Sequence, residues 1–193
     1  MLTLYFTPSS SSLAAHIALH EVGATFDAHP ISLEKGEQRN PEFLALNPLG
    51  KVPLLLIDGR PLTEVAGILW YLARRFPEAG LLPAGDPEAE AQVVSWMSFV
   101  ASTLHPARGK AWEQARAAFA VADTRLGDAA WAVGAYSIAD IHLFRLFWRL
   151  AGSHHPPAGT FPRLEAHAVR MMQRPAVRRT FAVEAVPGYE QPG

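Results

Sequence analysis

Four serines in a row, Ser9 to Ser12, stand between a β-prone run, Leu2 to Phe6, and an apolar run at helical spacing through Leu13, Ile17 and Val22. Hydroxyls at such a junction can cap the helix by accepting backbone N–H bonds, or donate to an anion held where the helix begins. The chain has no cysteine. That excludes disulfides, thiolate metal sites and a protein thiol nucleophile, so any thiol chemistry must use a ligand's sulfur. His16 and His20 are four apart on the same helix, as a metal pair would be, but the sequence places no acidic residue or third histidine to complete a site, and no metal is expected. Tyr5 reads as strand packing, and the His154-His155 pair falls in a loop with no evident partner. Arg170, Arg174 and Arg178 read as a solvated helix edge, and Trp96, Trp112 and Trp148 as core or subunit-interface residues.

The bulk properties narrow the ligand. A chain of 193 residues with 49% hydrophobic content can bury the core of one large domain or two small ones. Lys+Arg number 17 against Asp+Glu 18, a net charge of -1, which gives no reason to expect nucleic acid or an anionic membrane as partner. A small polar or amphipathic ligand is the better expectation. The first residues lack the basic segment and apolar core of a secretory signal, and no apolar run is long enough to cross a bilayer, so a soluble, cytoplasmic protein is expected.

The elements that position the serines follow from local signals. Leu2 to Phe6 is a strand, the helix after Ser12 stops near Gly23, and Phe26 to Leu33 offers a second strand. After the turn-rich Asn47 to Gly50, Val52 to Ile57 reads as a buried strand, Asp58-Gly59 as a hairpin turn and Arg60 to Thr63 as its partner. A helical pattern runs from Glu64 to Phe76, where Pro77 ends it. The order β-α-β-α-β-β-α occupies residues 1–77, and a Pro/Gly/Ala-rich linker occupies 78–86. Residues 87–193 read as all helical. Asp86-Pro87 starts a helix to about Leu104, before His105-Pro106, and a second spans Ala111 to Leu126. Ser137 to Asp140 has capping-box spacing ahead of the apolar Ile141 to Leu150, and two last helices are split by Pro175.

Three motifs in this order, Asn47-Pro48-Leu49-Gly50-Lys51-Val52-Pro53, then Leu62-Thr63-Glu64, then Gly134 to Asp140, resemble the glutathione transferase family over nearly the whole chain. The opening Pro8 to Leu19 looks most like the bacterial beta class, with Ser11 where that class usually carries cysteine. The resemblance implies a thioredoxin-like N-terminal domain followed by a helical-bundle C-terminal domain. It also implies glutathione as co-substrate, a small hydrophobic electrophile as second substrate, and a homodimer.

Site residues follow from the same resemblance. A cis Val52-Pro53 bond would turn the Val52 N–H and C=O toward the cysteinyl part of glutathione. Glu64 would pair the ligand's ammonium, and the helix start at Val65 would favour its carboxylate. Many relatives have serine at position 65, so Val65 keeps the backbone donor and loses a hydroxyl. Lys35 and Lys51 would reach the glycyl carboxylate, Ser98 stands where relatives often have asparagine, and His105 matches a position facing the ligand. Ser11 would activate the thiol, with Ser12 beside it, while Ser9 and Ser10 serve the turn.

The implied chemistry is ionisation of the glutathione thiol for attack on an electrophile. Lowering a thiol pKa from ~8.5 by about 2 units needs roughly 2.7 kcal/mol. One hydrogen bond to the charged sulfur supplies on the order of 1.5–3 kcal/mol, and a helix start adds a few tenths to ~2. Conjugation, peroxide reduction and dehalogenation all remain open, within a general role in detoxification. The alternative is a non-catalytic glutathione-binding or regulatory protein of the same fold. Val65, and a helical stretch between His105 and Ser137 several turns shorter than in typical relatives, favour that alternative. A thioredoxin-type reductase is excluded because no Cys-x-x-Cys exists.

Overall fold

The computed structural model describes residues 1–185. Contacts divide the chain into two units, Met1–Ala79 together with the segment that begins at Pro175, and Gly80–Arg174. The helical domain expected over 87–193 thus differs in its last part. Helix α9 (Pro175–Val183) packs on α1 (Ser12–Glu21) of the first unit, and residues 186–193 of that expected domain lie outside the described residues.

The first unit is a four-stranded sheet in the order β2-β1-β3-β4. β1 (Leu2–Phe6) is an inner strand, with Leu2, Thr3, Leu4 and Phe6 all buried. It pairs parallel with β2 (Phe26–Pro30) and antiparallel with β3 (Leu54–Ile57), which continues through the Asp58-Gly59 turn into β4 (Arg60–Thr63). Asp58 (φ 48°) and Gly59 (φ 81°) both take the positive φ that a two-residue hairpin needs. β2 ends at Pro30, three residues short of the expected Leu33. Beyond it the chain leaves the ladder, and the Pro30 and Pro61 rings sit on the two outer strands, where a missing N–H costs no ladder bond. Leu13, Ile17, Ile68, Leu69 and Leu72, from α1 and α3 (Val65–Arg75), are fully enclosed with Leu4, Leu54 and Leu55 of the sheet. This is the thioredoxin-like arrangement, with α2 (Pro41–Leu46) preceding the hairpin.

The second unit is helical. Asp86 caps α4 (Pro87–Phe99), its carboxylate accepting from the N–H groups of Glu88 and Ala89 at 3.0 and 3.1 Å. The helix does not stop before His105-Pro106. Val100–Leu104 widens to a π-helical turn and the chain continues as α5 (His105–Arg108). A proline ring clashes with the carbonyl four residues back, and the widened turn accommodates it without ending the helix. α6 (Trp112–Leu126), α7 (Ile138–His154) and α8 (Pro162–Met172) follow.

The capping box at α7 is formed, with Asp140 accepting from the Ser137 N–H at 2.9 Å and Ser137 accepting from the Ala139 N–H at 3.2 Å. Asp140 is fully buried and also accepts from the Ala132 N–H (2.8 Å) and from His167 Nε2 (2.9 Å). Arg170 and Arg174 are not merely solvated. Both guanidinium groups lie over the Trp131 ring, at 5.9 Å each, and Arg174 stacks 3.5 Å from the Tyr136 ring centre. His154 likewise has a partner, the Arg108 carbonyl oxygen at 3.0 Å. Trp96 is a core residue, 2% exposed, with the Arg125 guanidinium over its ring.

Candidate ligand site at one end of the sheet

Strand register brings three motif segments to one end of the sheet. β1 runs toward Phe6, β3 starts opposite it with Leu54 beside Tyr5, and β4 returns to the same end with Thr63 beside Leu54. The Ser9–Ser12 loop follows β1, Val52-Pro53 precedes β3, and Glu64 follows β4. The connection after β2, which carries Lys35, also leaves from this end because β2 is parallel to β1. The Tyr5 ring is packed between His29 (5.3 Å) and Phe43 (5.8 Å).

The four serines have distinct positions. Ser12 is fully buried, accepts from the Thr7 N–H (3.1 Å) and donates to the Thr7 carbonyl (3.0 Å). Its one hydrogen being so used, the 2.8 Å contact with Ser10 has Ser10 as donor, and Ser10 Oγ in turn accepts from the Ser12 N–H. Ser12 therefore faces inward and fastens the loop. Ser11 stands at the N-cap of α1, half-buried, but its side chain makes no capping bond, contrary to the expectation of a serine cap there. Its φ and ψ of -62° and -25° are already helical, whereas a capping side chain reaches its N–H from extended backbone.

Ser9 has φ 62°, uncommon for a residue with a side chain. Its N–H donates to Glu184 Oε2 at 2.9 Å, and Glu184 Oε1 accepts from His16 Nδ1 at 2.8 Å, with both side chains at most 1% exposed. An acidic partner for His16 thus exists, though the sequence shows none nearby. It comes from the segment after α9. His20 Nδ1 lies 2.8 Å from Thr180 Oγ1, whose hydrogen goes to the Ala176 carbonyl, so His20 is the donor. Burial first, then His16 and Arg179, lower the His20 pKa to about 4. Among the described residues, no group of three or more His, Cys, Asp or Glu side chains is arranged to hold a metal ion.

The Val52-Pro53 peptide bond is cis. Asn47, 3% exposed, shapes the turn before it. Its Nδ2 donates to the Lys51 carbonyl (2.7 Å), and its Oδ1 accepts from the Leu49 N–H. Gly50 has φ 60°, and a Cβ there would lie 2.9 Å from the Gln38 carbonyl oxygen, so the turn admits only glycine. Lys51 and Lys35 have exposed side chains, and the Lys35 N–H donates to Ser32 Oγ. An open groove of about 530 Å³ between the two loops is lined by Thr7, Pro8, Ile31, Ser32, Leu33 and Glu34.

Glu64 is exposed and precedes α3 with φ 66° and ψ 126°, so a residue with a side chain holds a conformation that glycine favours. Such strain tends to be kept where a side chain has work to do. Val65, half-buried, starts the helix. In the second unit, Ser98 is exposed on the last turn of α4 and His105 is exposed at the start of α5.

Glu184 and Thr180 support the loop and its helix, and nothing in the sequence around Ser9, His16 or His20 points to them. No local signal could have found them, since the Glu184 bonds span 168 and 175 positions.

Residues 8–75 match the family described as glutathione S-transferase, N-terminal domain, and residues 77–175 the one described as glutathione S-transferase, C-terminal domain. The second match ends where α9 begins. Glutathione S-transferase GstA of Escherichia coli O157:H7 is 30% identical, over 95% of this chain and 98% of that protein. Two other curated relatives align over about half of their own length. A sphingomonad glutathione S-transferase, solved in complex with glutathione, is 32% identical with a TM-score of 0.84, covering 95% of this chain and 99% of that one. The beta class glutathione S-transferase of Sphingomonas chungbukensis is 34% identical with a TM-score of 0.82, at the same coverage.

Proposed function

The chain belongs to the glutathione S-transferase family, and from that premise we propose that it binds glutathione at the sheet end described above and ionises its thiol with Ser11. The observation that supports this most is the register that draws Ser11, Val52 and Glu64 to one end of the sheet. The Ser11 hydroxyl donates to the sulfur, and the start of α1 adds its dipole. Together these supply about 2–4 kcal/mol, enough to shift a thiol by the roughly 2 units required. The thiol proton passes to solvent water, and the thiolate forms a carbon–sulfur bond with a small electrophile, whose leaving group departs with the bonding electron pair.

The other contacts divide by chemistry. The Val52 backbone pairs with the cysteinyl unit, Glu64 takes the ammonium, and the Val65 N–H takes the γ-glutamyl carboxylate. Lys35 and Lys51 reach the glycyl carboxylate. Ser98 and His105 are the helical unit's contributions, and Ser12 positions the loop rather than touching the ligand. A homodimer, a cytoplasmic location and a role in detoxification complete the reading. Among the described residues no helix is long and apolar enough to cross a membrane.

A second reading, binding without efficient transfer, draws on Val65, whose side chain offers no hydroxyl to the γ-glutamyl end. Calorimetric titration with glutathione tests the binding they share. Saturable binding weakened about tenfold or more in Glu64→Gln is expected, from the loss of one charge-assisted pair. No binding at millimolar glutathione would contradict both readings.

A further inference from the structure

The ends of β1 and β2 are fastened side by side. The Ile31 N–H donates to the Phe6 carbonyl oxygen at 2.7 Å, and Thr7 Oγ1 donates to the Ile31 carbonyl oxygen at 2.6 Å. Beyond them the chain closes on itself. The Ser32 N–H donates to Glu37 Oε2 at 2.8 Å, and the Glu37 N–H donates back to the Ser32 carbonyl oxygen at 3.1 Å. Within this closed turn Leu33 stays 42% exposed.

Leu33 lines the groove of about 530 Å³ together with Pro8, Pro30 and Ile31. Pro8 opens the loop that carries Ser11, so the groove borders that loop. Its size and its apolar side chains suit a small molecule.

The charge along the groove has one sign. Glu34 and Glu37 line it, and among the described residues no basic side chain does. Neither carboxylate has an ion-pair partner among the described residues. Lys35, the next residue, is exposed and does not line the groove. The Ser32 N–H occupies one oxygen of Glu37, and a carboxylate has a second to offer. Glu37 and Ile31 also border a smaller cavity of about 250 Å³, where Glu42 and the rings of Tyr5 and Phe43 are further lining groups. Carboxylates beside aromatic rings favour a cation.

We propose that this groove holds the electrophile and that Glu34 and Glu37 select one bearing a positive charge, so that the co-substrate is an apolar electrophile with an ammonium group. Its apolar body covers Leu33, Ile31 and the two proline rings, and its charge meets the two carboxylates. This rests on the reading of Ser11 as the residue that activates the thiol, because the groove borders the Ser11 loop.

The test is calorimetric titration of the full chain, with and without saturating glutathione. It uses probes of similar shape that lack a leaving group: para-nitrophenethylammonium, para-nitrophenethyl alcohol and para-nitrophenylacetate. The cation is expected to bind about fivefold or more tighter than the alcohol, and the anion more weakly than either. The double variant Glu34→Gln, Glu37→Gln keeps an acceptor for the Ser32 N–H and should erase that order. Leu33→Ala should weaken all the probes about threefold, and glutathione affinity should stay within about twofold in both variants. No binding of any probe, equal affinity for all of them, or a cation preference that survives both glutamines would overturn the proposal while leaving the transferase reading intact. So would a parallel loss of glutathione affinity in Leu33→Ala, which would assign the groove to glutathione itself. Cation selectivity that the glutamines erase, in a protein that binds no glutathione, would support the groove's ligand class and defeat the transferase reading instead.

Discussion

Ser9 and Glu184 lie 175 positions apart and are joined by a 2.9 Å hydrogen bond from the Ser9 N–H to the Glu184 carboxylate. The other oxygen of that carboxylate holds His16 on α1. One buried side chain after the last helix therefore fixes both the loop that carries Ser11 and the helix that follows it. The positive φ of Ser9 is held by this contact from the far end of the chain.

Replacing Glu184 with alanine leaves the Ser9 N–H and His16 Nδ1 without their acceptor. Unfolding by urea should show a loss of about 3 kcal/mol, the cost of breaking a buried, hydrogen-bonded pair. Glutathione should also bind more weakly, because the Ser11 loop loses its brace. A stable variant with unchanged affinity would show that the loop holds its shape without α9.

Glu64 gives a prediction with two opposite signs. Glycine at this position should stabilise the protein by about 1 kcal/mol, because φ 66° suits glycine. The same change should sharply weaken glutathione binding, since the carboxylate is gone. Denaturant midpoint and calorimetric affinity should move in opposite directions, and a loss of both would place the residue's role in the fold.

His20 and His142 make stability fall with acid. Their folded pKa values, about 4 and about 3, lie below the ordinary histidine value of 6.5. The unfolded chain therefore binds protons first, and stability complete above 6.5 is lost as pH falls through that window. His142 is the more enclosed and should contribute more. Unfolding free energies measured across the window for His20→Gln and His142→Gln should show flatter pH profiles than wild type. Parallel profiles would assign the acid sensitivity to carboxylates alone.

Asp140 joins the start of α7 to α8 through bonds to Ser137, Ala132 and His167. Asp140→Ala leaves buried donors unpaired on three segments and should cost about 3 kcal/mol or more in urea unfolding. Ser137→Ala removes the cap and one long hydroxyl bond to Asp140, which keeps its other donors, and should cost about 1 kcal/mol. Equal costs would mean that His167 and Ala132 gain nothing from the carboxylate.

Features set by neighbours in sequence were legible: β1, the Asp58-Gly59 hairpin, the Asp86-Pro87 helix start and the Ser137–Asp140 box each rest on chemistry within a few residues. What was missed is long range or cooperative. Proline at 106 argued for a helix end, yet the π-helical turn before it lets the helix continue. Nothing near His16 or Ser9 announces Glu184, and the stacking of Arg174 on Tyr136 needs α8 to be in place first. The grouping of α9 with the first unit follows from its contacts with α1, which no pattern within α9 encodes. Within the candidate site, the motifs marked Ser11, Val52 and Glu64, but only the register showed that their segments share one end of the sheet.

The most direct test is the ultraviolet difference absorption of the thiolate, recorded against pH with saturating glutathione on wild type and Ser11→Ala. Wild type should show thiolate forming about 2 units below the ~8.5 of a free thiol, and Ser11→Ala should return it to near that value while still binding glutathione. An unchanged titration in Ser11→Ala would contradict the assignment of thiol activation to Ser11.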